Sequence, residues 1–432
     1  MTIPRMPAAW PAAITVAALF FVVGPRLSAA SGPTDDTIVF SAPGGLSRAE
    51  VHRRTVALTA LGRDLFSDPS LSASGKLACV SCHARDRALG PPNALPVQLG
   101  GKDMHQPGIR AVPSLKYVQI VPQFSEHFYD SEDDSDESVD NGPTGGLTWD
   151  GRADRGADQA RFPLLSPFEM ANDSAEGVVD HALQSGYGPR LSAIYGEGIL
   201  GNRRALFDGI LEAFEVYEQD YKTFYPYSSK YDAYLAGKAT LSPAEAHGLE
   251  LFNDPDKGNC AECHISQRGN DGTSPQFTDY GLIALGLPRN ADIPANKDAS
   301  YFDLGLCGPL RTDLSGHKDY CGLFRTPSLR NVATRQTFFH NGAFHSLKKA
   351  VEFYARRDTN PEEWYPRKSD GTVDKFDDLP AEYRANINTD PPLDRHLGDK
   401  PAIDDKEIDD IVAFLQTLND GYRTEQGTAL QQ

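Results

Sequence analysis

The 432-residue sequence predicts a mostly α-helical fold made of two lobes that are related by an internal duplication. Three observations predict it: one sequence pattern occurs twice, helical periodicity is strong near the end of each half, and strand-like alternation is scarce. The chain carries 42 Lys and Arg against 60 Asp and Glu, a formal net charge of −18. Such an acidic chain lacks the basic face that nucleic-acid binding needs, so we exclude that class of partner.

Residues 1–30 have the pattern of a secretory signal peptide. Arg5 supplies the early positive charge, the apolar stretch 12–23 is short for a membrane span, and Ser28-Ala29-Ala30 has the small residues of a cleavage site. A retained membrane anchor is the alternative, and the cleavage site disfavours it. Cleavage after Ala30 leaves about 402 residues with a net charge near −20. We therefore predict a periplasmic protein without a membrane span after cleavage.

The repeat begins at a predicted helix. Ser47-x-x-Glu50 and Ser242-x-x-Glu245 are both capping-box patterns, which start helices. The sequence Ala-x-Gly-x-x-Leu-Phe-x-Asp-Pro then occupies residues 60–69 and again residues 246–255. Each lobe is therefore expected to open with the same helix.

The repeat continues along both halves. Pro113-Ser114-Leu115 matches Pro327-Ser328-Leu329, and Trp149-Asp150-Gly151 aligns with His340-Asn341-Gly342 ahead of another predicted helix. These matches divide the mature chain at residue 236, into an N-terminal lobe 31–236 and a C-terminal lobe 237–432.

Apolar residues at helical spacing mark the end of each lobe. They are Ile210, Leu211, Phe214 and Tyr217 in the first lobe, and Ile408, Ile411, Leu415 and Leu418 after an Asp404-x-x-Glu407 start in the second. The Gly-, Pro- and Asp-rich connections 86–110 and 286–300 are long for a helical bundle. We expect such loops to wrap a large prosthetic group.

Each lobe carries one Cys-x-x-Cys-His motif, Cys79–His83 and Cys260–His264, which is the attachment signal for covalent haem c. The cysteines Cys79, Cys82, Cys260 and Cys263 would form thioethers, and His83 and His264 would bind the irons. A thioredoxin-like motif would need a βαβ context, and a structural zinc site would need two more ligands near each pair. The sequence thus predicts two cytochrome c-like lobes, each around one covalent haem c.

Two cysteines remain outside these motifs. Cys307 and Cys321 lie 14 positions apart, and in an exported protein they most simply form a disulfide. A reactive thiol is the weaker alternative, because no activating group flanks both residues.

The repeat also indicates that the two irons differ. Tyr354 lies twelve residues after Gly342, on the same helical face as apolar residues, whereas Pro163 lies twelve residues after Gly151 and has no ligating group. Gln159 and Glu169 flank Pro163. We expect a closed iron with Tyr354 in the second lobe, and an open, catalytic iron in the first.

Other interpretations of these residues stay open at this point. Tyr354 is also compatible with an ordinary core tyrosine, Glu169 with a surface charge and Gln159 with a neutral helix residue. Rival ligands are His317, His340 and His345 for the second iron, and His105 and His127 for the first. The methionines that remain after cleavage, Met104 and Met170, both lie in the first lobe, which excludes a local methionine ligand for the second iron.

The sequence resembles the bacterial dihaem cytochrome c peroxidase/MauG family over essentially the whole mature chain. The matching segments are Leu147–Arg152, Gln159–Met170, Phe324–Val332 and Ala350–Tyr354. In the peroxidases proper a methionine stands at the position of Tyr354, and in MauG-like members a tyrosine does. The resemblance therefore places the chain on the MauG-like side.

The resemblance also implies roles for residues. His83 would bind the peroxide-reactive haem, whose distal pocket Gln159, Pro163 and Glu169 would line, with Glu169 moving the proton. Trp149 would pass electrons between the haems, and His264 with Tyr354 would bind the second iron.

Two departures from the family pattern concern a calcium ion and a surface tryptophan. The family's calcium positions are Ala111 and Arg335 here, so a conventional calcium site is in doubt, and the Arg335 charge is a candidate replacement for the cation. The family's surface tryptophan corresponds to Gly258, so electrons would need another route. The candidates are Tyr217, Tyr221, Tyr225, Tyr227, Tyr231 and Tyr234, although helix packing explains most of them.

The segment Asp130–Asp140 holds seven acidic residues in eleven. A solvated loop is the ordinary explanation of such a run. The alternative is that it steers a basic partner toward the first haem, an effect that salt would screen.

Three functions are compatible with these features. The first is a periplasmic oxidoreductase that uses hydrogen peroxide to oxidise a partner protein, as MauG-like members do. The second is a cytochrome c peroxidase that takes electrons from a small donor protein, a cytochrome or a cupredoxin. The third is a dihaem electron carrier without chemistry of its own, which Pro163 and Glu169 disfavour.

Overall fold

Helices and long loops build both halves of the chain in the computed structural model, which describes residues 45–129 and 140–423. The predicted signal peptide 1–30 lies outside the described residues, and so does the acidic run except for Asp140. From Leu46 onward, the described residues form one compact unit, so the predicted boundary at residue 236 stays a prediction.

Helical segments dominate the described residues, as the sequence predicts. The α-helices are α1 (Arg48–Leu65), α2 (Cys79–Cys82), α3 (Gly156–Leu165), α4 (Ala175–Gln184), α5 (Gly188–Tyr195), α6 (Arg203–Glu218), α7 (Tyr221–Phe224), α8 (Lys230–Leu235), α9 (Pro243–Asn253), α10 (Leu347–Arg356) and α11 (Asp405–Gln416). Short 3-10 turns span Pro69–Leu71, Arg85–Arg87, Glu197–Gly201, Cys260–Glu262, Pro294–Lys297, Lys318–Tyr320, Val332–Thr334, Pro361–Glu363 and Ala381–Asn386. Within the described ranges, no helix is long and apolar enough to cross a membrane.

The strands within the described residues are two residues long. β1 (Leu99–Gly100) pairs antiparallel with β2 (Gln106–Pro107), inside the long connection that the sequence predicts at 86–110. β3 (Leu282–Ile283) pairs antiparallel with β4 (Phe324–Arg325), with Ile283 opposite Phe324. The prediction of a mostly α-helical fold is confirmed.

The predicted helix starts form capping boxes at α1, α9 and α11. The Ser47 backbone N–H donates to the Glu50 carboxylate at 2.8 Å, and the Ser242 N–H donates to Glu245 at 2.7 Å. At α11 the Asp404 side chain accepts from the backbone of Glu407 at 2.9 Å. Each box satisfies backbone donors that a helix start otherwise leaves without partners.

Two aromatic-rich cores lie under these helices. In the first, α1 packs against α6, which buries Leu61, Phe66 and Phe214. In the second, α9 packs against α11, which buries Phe252 and Phe414. A smaller cluster surrounds Cys307 and Cys321, whose sulfur atoms form a disulfide.

The glycine of the repeated Ala-x-Gly pattern explains the close approach of these helix pairs. A Cβ added at Gly62 would lie 1.9 Å from the Ala213 carbonyl oxygen on α6. A Cβ added at Gly248 would lie 1.9 Å from the Asp410 carbonyl oxygen on α11. Both halves therefore use a glycine at the same repeat position to bring two helix backbones into contact.

Polar contacts cross the predicted lobe boundary. The Asp420 carboxylate accepts from Tyr117 Oη at 2.7 Å and from Lys116 Nζ at 2.9 Å, and it also accepts from Asn331. The buried Arg330 guanidinium lies 4.8 Å from the Tyr117 ring centroid. These contacts hold the first half against the second.

We predict that Gly248→Ala lowers the free energy of unfolding by about 1–3 kcal/mol, because the added methyl group forces α9 away from α11. Gly62→Ala should have a similar effect on the contact between α1 and α6. Denaturant unfolding of the purified protein measures both. Gly198→Ala is the matched control, since nothing lies within 4 Å of an added Cβ there. Equal stability of Gly248→Ala and the control would contradict the packing argument.

Candidate active site

Each Cys-x-x-Cys-His motif folds as a short helical turn that ends at its histidine. The first motif forms α2, and the His83 N–H donates to the Cys79 carbonyl at 2.8 Å. The second begins as the 3-10 turn Cys260–Glu262, and the His264 N–H donates to the Cys260 carbonyl at the same distance. The turn brings both cysteines and the histidine of one motif to one side of the backbone.

A backbone carbonyl orients each histidine ring. His83 Nδ1 lies 2.9 Å from the Leu89 carbonyl oxygen, and His264 Nδ1 lies 2.9 Å from the Phe277 carbonyl oxygen. Because a carbonyl oxygen only accepts, Nδ1 carries the proton and Nε2 keeps the lone pair that binds a metal. Burial lowers the pKa of both histidines to about 4, so both rings are neutral at pH 7.

The Pro-Ser-Leu motif holds those carbonyls in place. In the first half Leu115 N–H donates to the Leu89 carbonyl, and in the second Leu329 N–H donates to the Phe277 carbonyl, both at 3.2 Å. The serine of each motif also donates to a carbonyl of the same loop at 2.7 Å. The repeat thus has the same function in each half, which is to fix the carbonyl that orients the histidine.

The surroundings of the motif cysteines disfavour reactive thiolates. Burial raises the pKa of Cys82, Cys260 and Cys263 to about 12, and it raises the pKa of Cys79 as well. Redox-active cysteines have a lowered pKa instead. This environment does not fit the thioredoxin-like alternative, whereas it fits cysteines that anchor a prosthetic group.

A cavity of about 870 Å³ adjoins the second motif. Cys260, Cys263 and His264 line it on one side, and residues of α10 with Ile411 and Leu415 of α11 also line it. This volume is in the range of sites that hold large organic ligands. Its size, its apolar lining and a histidine with a free Nε2 fit a haem.

Tyr354 lines this cavity from α10, together with Leu347, Ala350 and Val351. Burial raises the pKa of the Tyr354 phenol, and the nearby Cys263 and Cys260 add to that shift. Tyr354 thus lines the same cavity as both cysteines of the second motif. The Tyr354 phenol is therefore a candidate ligand for the second iron.

Of the rival histidines, His340 also lines the cavity. Its ring stacks on Phe324 at 3.4 Å between centroids, and its Nε2 lies 3.9 Å from the Asp378 carboxylate. His340 thus contacts Phe324 and the Asp378 carboxylate. The pKa of Tyr354, in contrast, is affected by the two cysteines of the second motif. The other candidates, His105, His127, His317 and His345, are exposed.

Glu169 lies beside the first motif. Burial raises its pKa, and its charge in turn raises the pKa of Cys82 and Cys79. Its carbonyl accepts from Gly101 N–H at 2.8 Å, and a Cβ at Gly100 would lie 2.8 Å from the same oxygen. Gly101, directly after β1, therefore binds the Glu169 backbone, and Gly100 allows a close approach that a Cβ would block. No local sequence pattern indicated this contact.

Gln159 and Pro163 lie four residues apart on one face of α3, and both are half-buried. The Pro163 carbonyl accepts from Met170 N–H at 3.0 Å, which ties α3 to the segment that carries Glu169. The Arg152 guanidinium lies 4.6 Å from the ring centroid of Phe162, which belongs to α3. Its charge lowers the pKa of Glu169, but burial raises that pKa by more.

Trp149 joins the two halves. Its indole Nε1 donates to the Ala111 carbonyl at 2.8 Å, and its own carbonyl accepts from Arg325 N–H at 2.8 Å. Its ring lies 6.4 Å from the His340 ring and lines the second cavity. The buried indole, which belongs to the first half, thus lines the cavity beside the second motif.

Arg335 also connects the halves. Its guanidinium donates to the Val112 carbonyl at 3.0 Å and to the Thr337 carbonyl at 3.0 Å. Burial lowers its pKa to about 10, which leaves it a cation at neutral pH, and its charge lowers the pKa of His83.

Sequence reasoning missed the ionic network beside Trp149. Arg110 donates to Asp150 at 2.6 Å and to Asp303 at 2.6 Å, and Arg152 donates to Asp150 at 2.7 Å. The Asp150 side chain is fully buried. Asp150 belongs to the repeated Trp-Asp-Gly motif, but its partner Asp303 is 153 residues away and no pattern connects the two.

Comparison with known proteins identifies the family. A family profile described as di-haem cytochrome c peroxidase matches residues 56–240. Over 379 residues the chain is 31% identical to the methylamine utilization protein MauG of Paracoccus denitrificans. The alignment covers 84% of this chain and 89% of that protein. The chain belongs to the dihaem cytochrome c peroxidase/MauG family.

Two further relatives connect this family member with peroxidases. Cytochrome c551 peroxidase of Nitrosomonas europaea is 28% identical over 70% of this chain and 74% of its own. The crystal structure of the diheme peroxidase BthA of Burkholderia thailandensis matches with a TM-score of 0.75 and 38% identity, over 87% of this chain and 90% of that one. The protein is thus an oxidoreductase of the dihaem peroxidase type, and the expected mostly α-helical fold is confirmed. The internal duplication stays a prediction.

We predict that Tyr354→Phe removes the phenol ligand from the second iron of the haem-loaded protein, because phenylalanine keeps the ring and loses the oxygen. The low-spin signal of that haem in the EPR spectrum should disappear. His345→Phe, at an exposed histidine, is the control and should leave it in place. An unchanged spectrum of Tyr354→Phe would defeat the ligand assignment.

Proposed function

We propose that this family member is a periplasmic, MauG-like enzyme that uses hydrogen peroxide to oxidise a partner protein. The observation that carries the proposal is Tyr354 in the second cavity, close to Cys260 and Cys263, in a lobe without methionine. The peroxide site of the proposal is the first one, where α3 carries Gln159 and Pro163 and the Pro163 carbonyl binds the segment that carries Glu169. Covalent haem at Cys79, Cys82, Cys260 and Cys263 is part of the proposal.

The two haems supply the redox chemistry, and the chain determines how each one is held. His83 and His264 present Nε2 to the two irons because their Nδ1 protons are engaged by carbonyls. Pro163 has no ligating atom, so it would leave room for peroxide beside a haem held at the first motif. Gln159 lies one helical turn before Pro163, and its side-chain amide can donate a hydrogen bond to the peroxide.

Glu169 is the proton-transfer group of the proposal. Breaking the O–O bond of peroxide requires that a proton leave one oxygen and reach the other. Burial raises the pKa of Glu169 toward the range in which a carboxylate can both accept and return a proton. The hydrogen bond from Gly101 N–H to the Glu169 carbonyl fixes the backbone that carries this side chain.

Tyr354 and Trp149 set where the oxidising equivalents reside. A phenolate is a hard anion that favours oxidised iron, so a His264/Tyr354 site accepts an oxidising equivalent more readily than a histidine/methionine site. The Trp149 ring lines the second cavity and lies 6.4 Å from His340, on the path between the two sites. We assign it the electron transfer between them.

A second candidate function is peroxide reduction with electrons from a small cytochrome or cupredoxin. The relative BthA, which is 38% identical, is named a diheme peroxidase, and this likeness favours the alternative. A carrier without chemistry of its own is the third possibility, and it does not explain a half-buried carboxylate with a raised pKa beside the first motif.

Stoichiometric peroxide added to the diferric protein separates the candidates. We expect the absorption of both haems to change without prior reduction, since Tyr354 stabilises the oxidised second iron. Glu169→Gln should slow this change by about 10²–10⁴-fold, the usual contribution of a positioned acid–base group. The wild-type rate should fall as the pH drops through the raised pKa of Glu169, because protonation removes the base.

The outcomes of that experiment are distinct. A requirement for prior reduction would establish the peroxidase instead, and an absence of any spectral response would establish the carrier. Asp158→Asn, at an exposed carboxylate one residue before Gln159, controls for a general loss of negative charge and should react like the wild type.

We also propose that Arg335 takes the place of a calcium ion between the two sites. A calcium site needs six or more oxygen ligands, whereas the carbonyls of Val112 and Thr337 are engaged by the guanidinium. We predict that the holo-protein contains less than stoichiometric calcium by metal analysis, and that EDTA leaves the peroxide reaction unchanged. One tightly held calcium ion per chain would overturn the replacement.

A further inference from the structure

An aromatic chain connects Tyr354 with the protein surface. The Tyr354 ring lies 6.3 Å from the Phe353 ring and 5.8 Å from the Phe339 ring. Phe353 then lies 5.6 Å from the Trp364 ring, and Phe339 reaches the same indole through Phe344, with steps of 5.5 and 5.7 Å. Two short aromatic routes therefore join the expected ligand of the second iron to one tryptophan.

Trp364 lies at the end of both routes and is half-buried. It lines a surface depression of about 370 Å³ together with Phe344, Arg289 and Lys349. The chain has three tryptophans, of which Trp10 lies in the predicted signal peptide and Trp149 lies between the sites. Trp364 is thus the tryptophan that reaches the surface from the second site.

The surroundings of Trp364 suit one-electron transfer. Among the aromatic side chains, indole loses an electron most easily when no proton leaves with the electron. Its Nε1 donates to the Arg356 carbonyl at 3.2 Å, which fixes the ring. Lys349 lies 5.4 Å above the ring but is paired with Glu352 at 2.6 Å, so the adjacent charges largely cancel.

A second aromatic route leads away from the proximal side, and proton chemistry disfavours it. The Phe277 ring lies 5.5 Å from Tyr231, which stacks at 5.9 Å on Tyr234, a residue that is 39% exposed. A tyrosine must release its proton when it is oxidised at neutral pH. The Tyr231 hydroxyl donates to the Ser266 carbonyl, which cannot take up a proton, and burial raises its pKa to about 12.

We propose that Trp364 is the residue through which electrons enter the enzyme from its donor, an inference that rests on the proposed function. Reduction of one hydrogen peroxide to two waters consumes two electrons and two protons. Trp364 passes these electrons singly toward Tyr354, becomes an indole radical cation at each step, and regains an electron from the donor at the depression. The donor protein is oxidised by two electrons in total and releases the protons to water.

The test compares Trp364→Phe with Tyr234→Phe in the haem-loaded enzyme. Ferrocyanide is the probe, because it donates one electron at a time without a proton. Stopped-flow absorbance follows first the reaction with peroxide and then the return of both haem spectra on addition of ferrocyanide. The measurement starts from whichever oxidation state of the enzyme reacts with peroxide.

We expect Trp364→Phe to react with peroxide at the wild-type rate and to slow the ferrocyanide step at least tenfold. Tyr234→Phe should leave both steps unchanged. Freeze-quench EPR without a donor should show an indole radical in the wild type and none in Trp364→Phe. The low-spin signal of the second haem should be the same in all three proteins, which shows that the variant has folded.

An unchanged ferrocyanide step in Trp364→Phe would overturn the proposal, and so would a loss that appears in Tyr234→Phe instead. Failure of the proposed function looks different, because it appears in the peroxide step of the wild type as a need for prior reduction. Electron entry at Trp364 is tested in either case, since the ferrocyanide step follows any peroxide reaction.

Discussion

The hydrogen bond from each histidine Nδ1 to a backbone carbonyl is the constraint on which the rest of the structure depends. It decides which nitrogen faces the haem, and it requires that Leu89 and Phe277 present their carbonyls at one place. Both residues have a positive φ of 55°, which is costly for a non-glycine residue and is held by the surrounding loop. The Pro-Ser-Leu motif binds that loop in each half, so the repeated sequence elements converge on the two histidines.

The two sites share this proximal design and differ on the distal side. In the second site Tyr354 comes from α10, whose other apolar residues face the same cavity, and in the first site the equivalent helix α3 presents Pro163 and Gln159. A helix in the same place with different side chains produces one ligated and one open iron in the proposed function. Trp149 is held by the Ala111 carbonyl of its own half and by the Arg325 N–H of the other half. Arg335 binds the Val112 carbonyl of the first half.

Much of the fold followed from local patterns in the sequence. The helix starts at Ser47, Ser242 and Asp404 formed because a capping side chain acts within one turn. The helices after Gly151 and Gly342 begin at Gly156 and Leu347, at the same offset in each half. Local sequence patterns could not choose among the histidines that compete as iron ligands, because the exposure and ring stacking of each histidine depend on the fold. Only the fold shows that His340 stacks on Phe324 while His105, His127, His317 and His345 face solvent.

The sequence by itself determined the class of protein, the two motif histidines, the candidate distal residues and the pairing of Cys307 with Cys321, because each depends on residue types at short spacing or on a repeat. The tertiary structure decided what depends on distant segments: the burial that raises the pKa of Glu169, the glycine contacts of Gly100 and Gly248, and the network of Arg110 with Asp150 and Asp303. The physical reason is that burial and charge pairing are set by which surfaces meet. Residues far apart in sequence therefore acquire their chemistry only when the two halves pack together.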